Sequence, residues 1–172
     1  MSDAPLFTVF TPTYNRAHTL HRVYDSLRAQ TLRDFEWLVV DDDSTDDTSG
    51  LIAQWINAAD FPIRYFRQAH SGKHFAHNLA VREARGTMFT PLDSDDACPP
   101  NTLKRMMHWW NTIPPDQRES FCGVTGISND QYGNLVGRRF PFQPLDATMR
   151  ELYEVEPAAW LELLGIPVPD RM

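Results

Sequence analysis

Hydrophobic and polar positions follow one repeating scheme over the first hundred or so residues. A short apolar run empties into a polar loop, and the loop leads into a stretch whose apolar residues recur three and four apart. The runs Leu6–Thr11, Glu36–Val40, Ile63–Phe66 and Met88–Leu92 are expected strands, with Pro12 ending the first for want of an N–H. Between them, Leu20, Val23, Tyr24 and Leu27 predict a helix over Ala17–Gln30. Leu51, Ile52, Trp55 and Ile56 predict a second, with Thr45 or Thr48 as its N-cap. A third is expected over Lys73–Arg85, burying Phe75, Ala76, Leu79 and Ala80 and stopped by Gly86. Pro99 and Pro100 lead into a fourth helix packing Leu103, Met106, Met107 and Trp110. This β-α alternation predicts an α/β fold: a mostly parallel, Rossmann-like sheet flanked by helices and joined by right-handed crossovers.

After Pro114 and Pro115 the pattern changes. Phe121–Ser128 and Leu135–Phe140 are expected to form a C-terminal hairpin extension around the loop NDQYGN. Residues 1–140 are taken as one domain and 141–172 as an irregular, proline-rich tail, with one helix-like piece around Ala158–Leu164.

Composition narrows the function classes. The chain has 172 residues, of which 42% are hydrophobic, enough for one domain with a sizeable core. Its net charge of −7, without a basic stripe, argues against a nucleic-acid partner. Cys98 and Cys122 form no CxxC pair and read as reduced thiols. No apolar run approaches the ~18 residues of a membrane span, and MSDAPLF lacks the basic start of a signal peptide. The expectation is a cytoplasmic protein, with peripheral attachment to the inner face of a membrane left open.

The candidate chemistry sits where strands end. MFTPLDSDD, from Met88 to Asp96, delivers Asp93, Asp95 and Asp96 at the carboxyl end of an apolar strand. That is how an α/β sheet presents hard oxygen ligands to Mg²⁺ or Mn²⁺ beside a bound phosphate; the bland alternative is a solvated turn. FEWLVVDDDSTDDT, from Phe35 to Thr48, is a second acidic strand end, and LFTVFTPTYNR, from Leu6 to Arg16, a third polar one. Asp43, Asp46 and Asp47 read as helix-entry acids. His18 with His21, and His74 with His77, have two-ligand spacing but no third ligand nearby, and are read as helix surface. Trp109 and Trp110 are read as divided between core and surface.

Together FTPTYNRAHTL, WLVVDDDSTDDT, GKHFAHNLAVREARG and LDSDD, in this order and spacing, resemble the nucleotide-binding half of a family 2 glycosyltransferase with the GT-A fold. The resemblance covers about residues 5 to 110. It implies transfer of a sugar from a nucleotide donor, usually a UDP-sugar, to a carbohydrate, lipid or protein acceptor, with a divalent metal and inversion at the anomeric carbon. It implies further that Pro12, Thr13 and Tyr14 support the base and ribose, with Arg16 close by. Asp41 would accept the imide N–H of uracil, with Asp42 the competing choice by register. Asp93, with its neighbour Ser94, would face the ribose or the metal shell, and Asp95 would bind Mn²⁺ or Mg²⁺ directly. Lys73 would neutralise a phosphate oxygen, unless it is simply an exposed lysine.

The reaction needs these residue types, because a departing nucleoside diphosphate gathers negative charge and the acceptor hydroxyl must lose a proton to a carboxylate. For that general base the sequence departs from the family. ELYEVEPAAWLELLGIPVPDRM is not a family motif, although Glu151, Glu154 and Glu156 lie in the right direction. The expectation is a chain that binds donor and transfers sugar poorly, the rival being a non-catalytic sugar-nucleotide-binding or interaction domain. A nucleotidyltransferase would carry a glycine-rich phosphate loop, and TPTYNR has no glycine.

Overall fold

A computed structural model describes residues 4–124, 126, 128–130 and 132–136. They fall into two compact units divided between Lys104 and Arg105.

In the first unit β1 (Phe7–Thr13), α1 (Ala17–Arg28), β2 (Phe35–Asp41), α2 (Thr48–Ala58), β3 (Ile63–Arg67), α3 (Lys73–Glu83) and β4 (Met88–Pro91) alternate as expected. α4 (Thr102–Thr112) follows. The strands form a four-stranded sheet in the order β3-β2-β1-β4, and every pairing is parallel.

Alternation of side chains along β1 and β2 divides the core between the two faces of the sheet. Phe10, Leu38 and Val40 pack with Ala76 and Ala80 of α3, with Leu79, Phe66 and Phe89 around them. On the opposite face Trp37 stacks near Tyr24 of α1 and Trp55 of α2, and its indole N–H donates to Thr11 Oγ1 at 2.9 Å. Tyr24 and Trp55 stack nearly parallel, with ring centroids 4.4 Å apart. Each large apolar side chain so buried contributes on the order of 1.5–3 kcal/mol.

Several boundaries move, each for a local reason. β1 runs through Pro12 to Thr13, where the sequence predicts a stop. The Phe10 carbonyl accepts from Leu92 on the β4 side, so Pro12, two residues on, faces that same side beyond the last β1–β4 pair, Phe10 with Pro91. The missing N–H therefore costs no ladder bond. Phe75, expected in the core, is 53% exposed, because the face α3 turns to the sheet is set by Ala76 and Ala80. α3 ends at Glu83, and Gly86 is required by packing: a Cβ there would lie 2.3 Å from Thr8 N and 2.5 Å from Phe7 C.

In the second unit, a short 3₁₀ turn (Arg118–Ser120) precedes β5 (Ser128–Asn129), which pairs antiparallel with β6 (Leu135–Val136). This hairpin is shorter than predicted among the described residues. Asp130 closes it, accepting from the Tyr132 and Asn134 N–H groups. The expected strand residues 137–140, the helix-like piece around Ala158–Leu164, and Glu151, Glu154 and Glu156 lie outside the described residues.

Candidate functional site

The order β3-β2-β1-β4 places the chain reversal between β1 and β4, and a parallel sheet binds ligands at the carboxyl ends of the strands flanking such a point. The loops after β1, β2 and β4 meet there. Asn15 sits in the left-handed region at φ 52°, which asparagine tolerates. Its Oδ1 accepts from the N–H and hydroxyl of Thr45 at 2.7 and 3.2 Å and from the Asp46 N–H at 3.3 Å. Its own N–H donates to Ser44 Oγ at 2.9 Å. The entry to α2 is held by Asp46, whose Oδ1 accepts from the Thr48 hydroxyl and N–H and whose Oδ2 accepts from the Ala17 N–H. Thr48 is thus the first helical residue, tied by Asp46 from outside, with no side-chain cap from Asp47.

The two acids at the end of β2 do different work. Asp41 is fully buried: Oδ1 accepts from the Ser44 N–H and hydroxyl, and Oδ2 from the Tyr65 hydroxyl at 2.6 Å. Burial, reinforced by the bond to Asp41 and its charge, pushes the Tyr65 phenol well above its ordinary range, so the phenol stays protonated as the donor. Asp42 faces the loop after β3. Its Oδ1 accepts from Gln68 Nε2 at 2.7 Å and the Ser71 N–H at 2.8 Å, and its Oδ2 from the Gly72 N–H at 2.8 Å; His70 Nδ1 lies 2.9 Å from Oδ2 and bonds the Asp42 backbone carbonyl at 3.1 Å. Burial works to raise the Asp42 carboxyl, but these bonds and the His70 charge outweigh it and hold it below the usual carboxylate range. The His70 ring in turn lies 4.5 Å from that of Tyr14, which is 45% exposed.

After β4, Asp93 and Asp95 stand half-exposed, and each meets a cation from another loop. Lys73 Nζ lies 2.7 Å from both Asp93 oxygens, and Arg16 Nη1 3.3 Å from Asp95 Oδ2. Burial, then the charges of Asp95 and Asp93, push the Asp96 carboxyl up. Ser94 is buried between the acids in sequence. Among the described residues no three His, Cys, Asp or Glu side chains converge as a metal cage. Two carboxylates that already hold cationic partners do fit Mg²⁺ or Mn²⁺, which are commonly bound through one or two carboxylates plus substrate phosphates.

Of the residues expected from the sequence, Arg16, Lys73, Asp93 and Asp95 are brought into direct contact, Tyr14 reaches the loop after β3, and Pro12 and Thr13 form the buried end of β1. Thr13 Oγ1 is buried without a hydrogen-bond partner among the described residues. Asn15, Tyr65, Gln68 and His70 had no place in the sequence reading. For Asn15 its place within TPTYNR was the available signal; the other three follow only from β3 lying beside β2.

The Glycosyl transferase family 2 profile matches residues 8–157. Chondroitin synthase of Escherichia coli is 31% identical over 141 residues, 81% of this chain and 20% of that protein. TarS 1–349 of S. aureus in complex with UDP-GlcNAc superposes with a TM-score of 0.56 at 30% identity, over 62% of this chain and 31% of that one. The mannosyltransferase PcManGT of Pyrobaculum calidifontis, in complex with GDP-Man and Mn²⁺, superposes with a TM-score of 0.59 at 31% identity, over 66% and 34%. The chain thus spans a fifth to a third of the length of these relatives. With a family match over most of its length and a parallel sheet that superposes on GT-A structures, the chain belongs to glycosyl transferase family 2.

Proposed function

We propose that this chain binds a nucleotide-sugar, by preference a UDP-sugar, at the carboxyl edge of its sheet together with Mn²⁺ or Mg²⁺, as the donor-binding part of an inverting glycosyltransferase. The observation that carries the reading is the meeting of Asp93 and Asp95 with Lys73 and Arg16 beside the β1–β4 switch point.

Asp95, with Asp93, would hold the metal, which when bound offsets the charge that gathers on the departing diphosphate. Lys73 and Arg16 are within reach of the same phosphates, and their release from the acids lets them neutralise phosphate oxygens. Tyr14 offers an aromatic face to the base, and Pro12 and Thr13 shape the floor beneath it. The strand-end acids read the base as a pair: Asp41 is committed to Ser44 and Tyr65 and fixes the loop, and Asp42, beside Tyr14, accepts the imide N–H. Uracil has that imide N–H, guanine offers a lactam ring N–H in its stead, and adenine has neither. The similar TarS and PcManGT structures are complexes with UDP-GlcNAc and GDP-Man, in keeping with such a reader.

The test is calorimetry of UDP binding with and without Mn²⁺. Asp95 is exposed, so Asp95→Ala is expected to fold as the parent does and to lose the Mn²⁺-dependent gain in UDP affinity. A variant that binds UDP and Mn²⁺ like the parent overturns the assignment. Donor hydrolysis and transfer assays with candidate acceptors separate a transferase from a domain that only binds.

A further inference from the structure

Three features of His70 coincide. Its ring lies 4.5 Å from the Tyr14 ring, tilted by 35°. Its Nδ1 stands 3.1 Å from the Asp42 backbone carbonyl oxygen and 2.9 Å from Asp42 Oδ2, and since a carbonyl and a carboxylate only accept, Nδ1 carries the donated proton. Its side chain is otherwise 59% exposed, so nothing packed around it resists its departure. A planar heteroaromatic ring on the face of Tyr14, with its N–H held by the backbone carbonyl of Asp42 and close against that residue's carboxylate, occupies the place a nucleobase would take there.

We propose that the imidazole of His70 fills the base position of this site in the free protein, seated on Tyr14 and bonded to Asp42, and swings out when a nucleobase enters. This rests on the nucleotide-binding reading above. The exchange leaves Asp42 supported, since Gln68 Nε2 and the Ser71 and Gly72 N–H groups remain on its carboxylate and an imide N–H takes the place that Nδ1–H holds beside Oδ2 and the backbone carbonyl. Two residues on, Gly72 has φ 96°, a conformation that lets the loop turn sharply beside the ring. His70 is therefore a selectivity element. Any ligand that needs the base position must compete with it, and a ligand without a base need not.

Apparent affinity falls in proportion to the fraction of molecules with the site open, so a ring in place in roughly nine molecules of ten weakens base-dependent binding about tenfold. Calorimetry of the full chain with Mn²⁺ compares UDP with inorganic pyrophosphate for the parent, His70→Ala, His70→Phe and Asp42→Asn. His70→Ala is expected to bind UDP about tenfold tighter and pyrophosphate unchanged. His70→Phe keeps a ring for Tyr14 but cannot donate to Asp42, and is expected to gain less. In the parent, the NMR signal of His70 Cε1–H should lose its ring-current shift as UDP is added and keep it with pyrophosphate. Unchanged or weaker UDP binding by His70→Ala, with UDP weakened by Asp42→Asn, overturns the inference and leaves the base site standing. UDP binding unchanged by Asp42→Asn removes the base site and the inference together. Equal shifts for UDP and pyrophosphate in His70→Ala overturn it as well, since they report a general loosening.

Discussion

Asp42 is a buried acid that stays charged, and this has a consequence for acid stability. Burial favours its neutral form, but Gln68 Nε2, the Ser71 and Gly72 N–H groups and the charge of His70 favour the carboxylate more strongly. Asp46 behaves alike: burial raises it, and the bonds from Thr48 and the Ala17 N–H, with the His18 charge, bring it below its ordinary value. A folded-state value depressed below the unfolded 3.8 means stability that is fully present above that pH and drains away as pH falls through it toward the folded value. Urea midpoints are therefore expected to drop as pH is lowered below about 4, and Asp42→Asn should make that drop shallower while lowering stability at pH 7. An acid limb as steep in Asp42→Asn as in the parent would show that its neighbours contribute nothing through it.

At the scale of elements, the turn from α3 into β4 is fastened at the opposite end of the sheet from the candidate site. Glu36 is buried near the start of β2, an inner strand, with Oε1 accepting from the Thr8 hydroxyl and the Arg85 N–H and Oε2 facing Arg64. The Gly86 N–H donates to Thr8 Oγ1 at 2.8 Å, which draws the turn against β1 so closely that no Cβ fits. Because the atoms in the way are backbone, they cannot rotate aside, and Gly86→Ala is expected to cost about 3 kcal/mol or more. Thermal melts test this. A Tm within a degree or two of the parent's would mean that the turn can move off β1 at little expense. The same packing explains why a glycine read as a helix stop belongs to strand contact instead: Ala84, extended, already ends α3 two residues earlier.

For the whole molecule, ligand and fold are linked. A ligand that binds only the folded chain at about a hundred times its Kd adds ~2.7 kcal/mol of apparent stability, which for a chain of this size is a Tm rise of roughly 5–10 °C. UDP with Mn²⁺ is expected to give such a shift and ADP with Mn²⁺ much less, since adenine brings no imide N–H to Asp42; equal shifts would remove the basis for base reading. What was legible in the residues by themselves was the succession of strands and helices, the parallel sheet, the family, and the acids at the strand ends. Apolar periodicity reports which face of an element is buried, and a strand that ends in carboxylates marks the ligand edge wherever the strand comes to lie. What the residues alone left open was who meets whom across that edge. Arg16 and Asp95 are 79 positions apart, His70 and Asp42 28, and Lys73 and Asp93 20. These pairs exist because the strand order β3-β2-β1-β4 sets the loops after β1 and β4 side by side and lays the loop after β3 against the end of β2. The division of labour between Asp41 and Asp42 was decided in the same way: adjacent residues at a strand end point to opposite sides, and only the neighbours on each side, Tyr65 for one and His70 for the other, determine which carboxylate is locked inside and which one faces the loops.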